Sequence, residues 1–316
     1  MSQAALIVLG YGQFDKLTRP CLDSILPAAV SLGVPVLAVD NGSPDESAGQ
    51  LQAYGDKHPA LQVILTGENL GFAGGMNRGV AATDADWVVL VNSDTRFAPD
   101  ALARLIDAFG RAAPEVGIIG PLTNAAGNGQ YMALEGDTPE ALISSASSLL
   151  GDATGVLIPC YRADFFCVGI RRSLWASLGG LDTVFGKGYY EDFDFSMRAL
   201  GLGFISAICE DAFVYHAGSS SFKRSPEQKQ LIRRNKEIFL SRHPNARMPH
   251  RRDDNLAVLT EYARLKQSGF WNDALEIRQE LRVAMLLSDL PRNPLKRWFW
   301  CRKVKKSGTN RLQKNL

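Results

Sequence analysis

Three carboxylates, Glu191, Asp192 and Asp194, stand within four positions in the stretch YYEDFDF, with aromatic residues on both sides. Like charges this close repel, and rings exclude the water that would screen them. Both effects raise a carboxyl pKa and suit it to accepting a proton, so Glu191 or Asp192 is a candidate general base. Asp194 lies four residues before Arg198, the spacing of an ordinary helix ion pair. Asp94, in LVNSDT, follows an apolar run. In that place it either caps a loop or binds a divalent cation, since Mg2+ takes one or two protein carboxylates together with phosphate oxygens and water. His216 closes a second apolar run, FVYHAGSSS, ahead of small residues that let a ligand approach closely. A lone histidine there is either structural or a ligand for metal or phosphate.

Several other chemistries are excluded. GYGQFD at Gly10–Asp15 lacks the third glycine of a dinucleotide fingerprint, and in GGLDTVFGKG no Ser or Thr follows Lys187, so it is not a phosphate-binding P-loop. Neither HExxH nor GxSxG occurs. The five cysteines are scattered without a CxxC pair, which fits a reducing compartment and argues against a disulfide framework or a zinc knuckle. The N-terminal MSQAALIVLGYG has no basic region ahead of its short apolar run and reads as a first strand rather than a signal peptide. No apolar run approaches the length of a membrane span, and a cytosolic protein is expected. Net charge is only +2, but nine Lys/Arg and no Asp/Glu lie between Arg292 and Leu316. There PLKRWFWCRKVKK interleaves Trp298, Phe299 and Trp300 with basic residues. That pattern suits an anionic membrane surface, against the alternatives of a solvated tail or a nucleic-acid patch.

The candidate residues need elements to position them. Apolar runs ALIVLGY, VPVLAVDNG, LQVILTG and ADWVVLVNSD alternate with helical patterns at LTRPCLDSILPAAVSLG, SPDESAGQLQAYGDKH, GGMNRGVAAT and PDALARLIDAFGRAAP. Strand–helix alternation with wholly apolar strands predicts an α/β fold with a parallel sheet covered on both faces. Ligands bind beyond the carboxyl ends of such strands, where Tyr11, Asp40, Asn41, Asn92, Ser93 and Asp94 fall. Ser43 is expected to cap the second helix, with Pro44 in its first turn. From Ile118 to about Ala163 the pattern loosens into a Gly/Asn-rich loop, PLTNAAGNGQ, and a short helix, ALISSASSLLG. A strand and helix resume at DFFCVGIRRSLWASLGGLD. A helix from about Asp192 to Gly201 should bury Phe193, Met197 and Leu200, and GFISAICEDAFVYHAG reads as paired strands. Helical patterns follow, with a boundary near His243–Arg252, giving units at 1–243 and 244–316.

These blocks occur in an informative order. CLDSILPA…VPVLAVDNGSPDES, ENLGFAGGMNRGV, VVLVNSDTRFAPDAL, FFCVGIRRSLWASLGGLDTVFGKGYYEDFDFSMRALGLGF and VYHAGSSSF together resemble the inverting family 2 glycosyltransferases. The likeness is strongest to the rhamnosyltransferase-like branch that builds bacterial surface polysaccharides, and it spans roughly Leu6 to Pro244. The resemblance implies a GT-A fold, a Rossmann-like mixed sheet flanked by helices, here with a helical C-terminal extension. It implies a nucleoside-diphosphate sugar donor, with dTDP-rhamnose the branch's commonest, and Mg2+ or Mn2+ as cofactor. A saccharide or polyprenyl-linked glycan would be the acceptor, at the inner face of the plasma membrane, with no nucleic acid involved. Asp40 then resembles the nucleobase-binding acid, and Tyr11 and Asn41 lie beside it. Asn77 and Arg78 fall in the block facing the nucleotide. Asn92, Ser93 and Asp94 occupy the family's DxD position, with Asp94 the metal ligand and His216 completing the site. Asp192 matches the family's base, with Glu191 its neighbour. One position departs, Gly12, where many relatives carry Asn. A different class of reading is a non-catalytic nucleotide-sugar-binding subunit, although the base and the metal acid that such proteins lose are both present.

Overall fold

The computed structural model describes residues 3–218 and 225–306. Strands β1 (Ala4–Gly10), β2 (Val36–Asp40), β3 (Leu61–Leu65) and β4 (Trp87–Asn92) form a parallel half-sheet in the order β3-β2-β1-β4. The other half is mixed. It contains β5 (Thr95–Phe97), β6 (Val116–Leu122), β7 (Leu157–Cys160), β8 (Cys167–Arg171) and β9 (Ile205–His216). β8 runs antiparallel between β4 and β6, β6 lies parallel to β9, and β9 also pairs antiparallel with β7 and β5.

Both faces of the sheet are covered, so alternate residues of one strand enter different cores. From β1, Leu6 and Val8 join the cluster containing Leu22 and Ile25 of α1 (Thr18–Leu32) and Leu105 of α4 (Ala101–Arg111). Ile7 joins the opposite cluster with Met76 of α3 (Gly71–Val80), Leu174 of α6 (Arg172–Leu178) and Phe195 of α7 (Glu191–Gly201). The remaining helices are α2 (Ser47–Gly55), α5 (Pro139–Leu150), α8 (Pro226–Arg242), α9 (Arg251–Gln267), α10 (Asp273–Ser288) and α11 (Pro294–Lys306). α1 ends as its sequence predicts, on Gly33 in the left-handed region at φ 65°. No helix among the described residues is long and apolar enough to cross a membrane.

Three local expectations are corrected. α2 begins at Ser47, not at Pro44, because the Ser43 hydroxyl is taken up by Asp40 and by the Gly12 N–H, while Asp45 accepts from the Ser47 N–H. The segment read as paired strands is the single twelve-residue β9, whose first half pairs with β6 and β7 and whose last residues pair with β5. On α7 the buried stripe is Glu191, Asp194, Phe195 and Ala199, not the one through Phe193, Met197 and Leu200. Leu200 is 47% exposed. Phe193 lies under the Arg162 guanidinium, and Met197 Sδ accepts from the Tyr161 hydroxyl. The C-terminal helices are tied to the sheet, since Leu256, Leu259, Tyr262, Leu275 and Leu286 belong to the same apolar cluster as Ile208 of β9.

Candidate active site

A short turn follows β4 and carries Asp94 to the carboxyl edge of the sheet, and β5 starts at Thr95. Antiparallel pairing sets Thr95 opposite His216 at the end of β9. Two segments far apart in sequence thus bring His216 Nε2 to 3.4 Å from Asp94 Oδ2. Asn124, just beyond β6, fixes the histidine backbone from both sides: its Nδ2 donates to the His216 carbonyl and its Oδ1 accepts from the His216 N–H, each at 2.9 Å. His216 Nδ1 lies 3.2 Å from the Ala125 carbonyl, and the ring stacks on Phe166. With Nδ1 donating to that carbonyl, Nε2 is the nitrogen that faces Asp94 and would turn its lone pair to a metal once its proton is lost. Burial alone would lower the His216 pKa, but the Asp94 carboxylate outweighs it and the net shift is upward. No group of three or more His, Cys, Asp or Glu positioned for a metal occurs among the described residues. The Asp94–His216 pair fits a divalent ion whose remaining positions go to phosphate oxygens and water.

The second half of the site is the start of α7. The chain enters it through Gly186, Gly188, Tyr189 and Tyr190, all at positive φ (69°, 140°, 73° and 79°). Left-handed tyrosines are costly and persist only where surrounding structure holds them. Asn235 of α8, fully buried, does so: its Nδ2 lies 2.7–3.0 Å from the carbonyls of Phe185, Gly188 and Tyr189. Gly71 is equally constrained, because a Cβ there would meet the Gly186 carbonyl oxygen at 2.1 Å.

The Glu191 carboxyl is buried with Oε2 lacking any hydrogen-bond partner. Burial first, and the Asp192 charge second, push its pKa up to about 8. Asp192 is also raised by burial, opposed by Arg162, whose Nη1 lies 3.9 Å from Asp192 Oδ2. Asp194 turns away from both. It is 1% exposed and meets Arg198 Nε at 2.7 Å and His243 Nε2 at 2.9 Å, so it is the helix ion pair its spacing predicts. The halves converge on one cavity of about 870 Å³ lined by Asn92, Asp94, His216, Glu191 and Asp192 among others.

Residues 7–167, more than half of the chain, match the sequence model described as Glycosyl transferase family 2. The chain belongs to glycosyl transferase family 2. It is 29% identical over 227 residues to the N-acetylglucosaminyl-diphospho-decaprenol L-rhamnosyltransferase of Mycobacterium tuberculosis (strain CDC 1551 / Oshkosh), covering 64% of this chain and 72% of the relative. Among solved structures it resembles a mannosyltransferase from Pyrobaculum calidifontis in complex with GDP-Man and Mn2+ (TM-score 0.51, 15% identity, 91% of this chain and 87% of that one). GalNAc-T7 with UDP, GalNAc and Mn2+ is also similar (TM-score 0.56, 12% identity, 89% of this chain and 54% of that one). The fold of this glycosyltransferase is therefore GT-A, with C-terminal helices added.

Of the residues singled out from its sequence, Asn92, Asp94, Glu191, Asp192 and His216 line the cavity. Tyr11, Asp40, Asn41 and Ser93 lie along the same carboxyl edge, outside the cavity lining. Asp40 accepts from the Ser43 N–H and hydroxyl, and Asn41 braces the turn into α3 through Leu70 N and Gly71 O. Both amide atoms of Asn77 engage the Leu181 backbone, and Arg78 is exposed on α3. Residues not foreseen are Asn124, Asn235, Arg162 and Asp164. Arg162 is only 8% exposed, contacts Asp164 directly, and lies 3.8 Å over the Phe193 ring. The one sequence signal for Asn124 was the Gly/Asn-rich stretch that contains it.

Proposed function

We propose that this glycosyltransferase moves a sugar, with inversion, from a nucleoside-diphosphate donor to a hydroxyl of a lipid-linked glycan. The order of its sequence blocks and its likeness to the mycobacterial enzyme support rhamnose, from dTDP-rhamnose, as the sugar. The observation that carries the reading is the convergence of the Asp94–His216 pair and the Glu191–Asp192 pair on one cavity.

Asp192 is the base. Glu191, with its pKa pushed up to about 8, is a neutral carboxyl at pH 7, whereas the Arg162 guanidinium favours the ionised form of Asp192. The Asp192 carboxylate takes the acceptor hydroxyl proton as that oxygen bonds to the anomeric carbon and the bond from that carbon to the diphosphate breaks. Burial then helps Asp192 hold the proton. Asp94 and His216 would hold Mg2+ or Mn2+, which supplies positive charge against the departing diphosphate. Asn124 keeps His216 in register, and the Asn235-held tyrosine segment fixes where α7 starts. Residues 1–243 make up the transferase unit in this reading, and 244–316 an extension serving the acceptor side. On α11, Leu295, Trp298 and Phe299 are 73%, 54% and 64% exposed among basic residues, which suits an anionic bilayer at the inner face of the membrane.

The test is a screen of nucleotide sugars for hydrolysis and transfer with Mg2+, with Mn2+ and with EDTA, alongside vesicle sedimentation. One donor should be consumed only with a divalent ion, and Asp94→Ala should raise its KM. Anionic vesicles should sediment the chain less well once residues 292–316 are removed. Donor binding with neither hydrolysis nor transfer would mean a non-catalytic sugar-nucleotide subunit instead.

A further inference from the structure

One wall of the cavity takes no part in the chemistry described so far. It comes from the C-terminal segment: Ile232 on α8, Met248 in the connection to α9, and Arg251 at the start of α9. The Arg251 guanidinium lies 4.2 Å over the ring of Tyr131, which also lines the cavity. Its carboxylate partner is distant and shared. Asp289 Oδ2 is 3.8 Å from Arg251 Nη2 and 3.7 Å from Arg252 Nε. One carboxylate shared between two guanidinium groups neutralises neither at close range, and the Arg251 side chain is 36% exposed. A planar guanidinium stacked on a ring and short of a close anion is prepared for bidentate binding of phosphate.

The neighbours of Arg251 narrow the ligand. Met248 is 44% exposed and Ile232 lines the same wall. A cation in a cavity also lined by an exposed Met248 and a half-buried Ile232 matches a prenyl diphosphate, in which an anion joins an aliphatic chain. A nucleoside diphosphate has no such chain. The wall also belongs to α8 and α9, whereas the donor edge is built by β1, β2 and β4. We propose that Arg251 binds the diphosphate of a lipid-linked acceptor, with Met248 and Ile232 against the first units of its prenyl chain. This rests on the reading above that the acceptor is a glycan on a lipid diphosphate.

The experiment compares the wild-type chain with Arg251→Ala and Arg251→Lys on two acceptors carrying the same sugar. One is a prenyl diphosphate glycan, and the other an alkyl glycoside without phosphate. Arg251→Ala should raise KM for the diphosphate acceptor by about 10–100-fold, the scale of a lost hydrogen bond to a charged group. For the alkyl glycoside the change should stay under about threefold on the same reasoning. Lysine keeps the charge and loses the fork, so Arg251→Lys should fall between, and it serves as the reading if the alanine variant melts early. Equal rises for both acceptors would overturn the proposal, making Arg251 a packing residue. A rise in donor KM instead would assign Arg251 to the donor's diphosphate and overturn it equally. If the acceptor reading itself is at fault, the wild-type chain already transfers to the alkyl glycoside and ignores the prenyl diphosphate, whereas failure of the Arg251 assignment alone leaves wild-type transfer to the prenyl diphosphate intact.

Discussion

Among the described residues two Glu-Asp doublets are largely removed from water, Glu210–Asp211 and Glu191–Asp192, although the Asp192 side chain keeps 20% exposure, and their surroundings differ completely. Glu210 and Asp211 lie in a bulge of β9, where the register with β6 jumps from Pro121↔Cys209 to Leu122↔Phe213. They are 0% and 2% exposed, and nearly every oxygen is used. Arg282 Nη2 donates to Glu210 at 2.6 Å, and the Tyr262 hydroxyl donates to its other oxygen. Asp211 accepts from Thr154 N, Thr154 Oγ1, Gly155 N and Arg278 Nη1, all at 2.8 Å. Burial opposes its ionisation, yet these donors win and its pKa falls. At Glu191 and Asp192, burial meets one guanidinium nitrogen at 3.9 Å and an orphaned oxygen, and both pKa values rise. Burial alone therefore does not set the charge of a carboxyl; the donors around it do. One doublet clamps α10 to the sheet, and the other is left short of partners and open to a cavity.

The sharpest way to break the comparison is to remove ionisation where it is underused. Asp192→Asn keeps the oxygen that accepts from the Phe193 N–H at 2.8 Å, so local geometry should survive. Loss of general-base assistance should lower kcat for transfer by roughly 10²–10⁴-fold, with donor affinity little changed. Pre-steady-state transfer and donor titration on the same preparation measure both. Near-normal turnover in Asp192→Asn would move the base to another residue.

The complementary change attacks the satisfied doublet. Arg282→Met leaves the Glu210 carboxylate buried without its cation and should destabilise the chain by roughly 3–5 kcal/mol. Adding Glu210→Gln in the same chain should recover much of that, because no unpaired charge then remains at that position. Urea unfolding of the single and double variants measures it. A single variant as stable as wild type would show that the Glu210–Arg282 pair does not hold α10.

The sequence made the parallel half of the fold legible because each strand there is a predominantly apolar run that gives way to polar residues at its carboxyl end. β5, at three residues, is too short to show a pattern, and β6 carries Gly117, Gly120 and Pro121, which obscure one. The same contrast runs through the site. Asp94 follows β4 and His216 ends β9, so the rule of looking to carboxyl ends finds them. Asp164 and Arg162 precede β8, which runs antiparallel to β4, so its amino end reaches the same edge. Asn92 N donates to the Phe166 carbonyl there at 2.8 Å. A rule about carboxyl ends cannot see such residues. The inward stripe of α7 is hidden in the sequence for a related reason: Asp194 is buried by Arg198 and His243, and no hydrophobic pattern marks a buried acid.

The last effect concerns how the two doublets answer to pH. The folded Glu191 carboxyl stays neutral to about pH 8, whereas in the unfolded chain it ionises near 4.5. Between those values the unfolded chain holds fewer protons, so stability falls as pH rises, by at most roughly 1.4 kcal/mol per pH unit. Asp192 adds a slope of the same sign. Asp211 acts in the opposite direction: its lowered pKa gives stability that is present above about pH 4 and lost in acid as the pH drops through the folded value. Glutamine cannot ionise, so Glu191→Gln should flatten the fall between pH 5 and pH 8. The gain should be largest at the alkaline end and near zero at pH 5, with the acid limb set by Asp211 unchanged. Unfolding free energies at pH 3, 5, 6.5 and 8 resolve the two limbs. If the slope above pH 5 were the same in Glu191→Gln as in wild type, Glu191 would be ionised in the folded chain, and the neutral neighbour assigned to Asp192 would have to be given up.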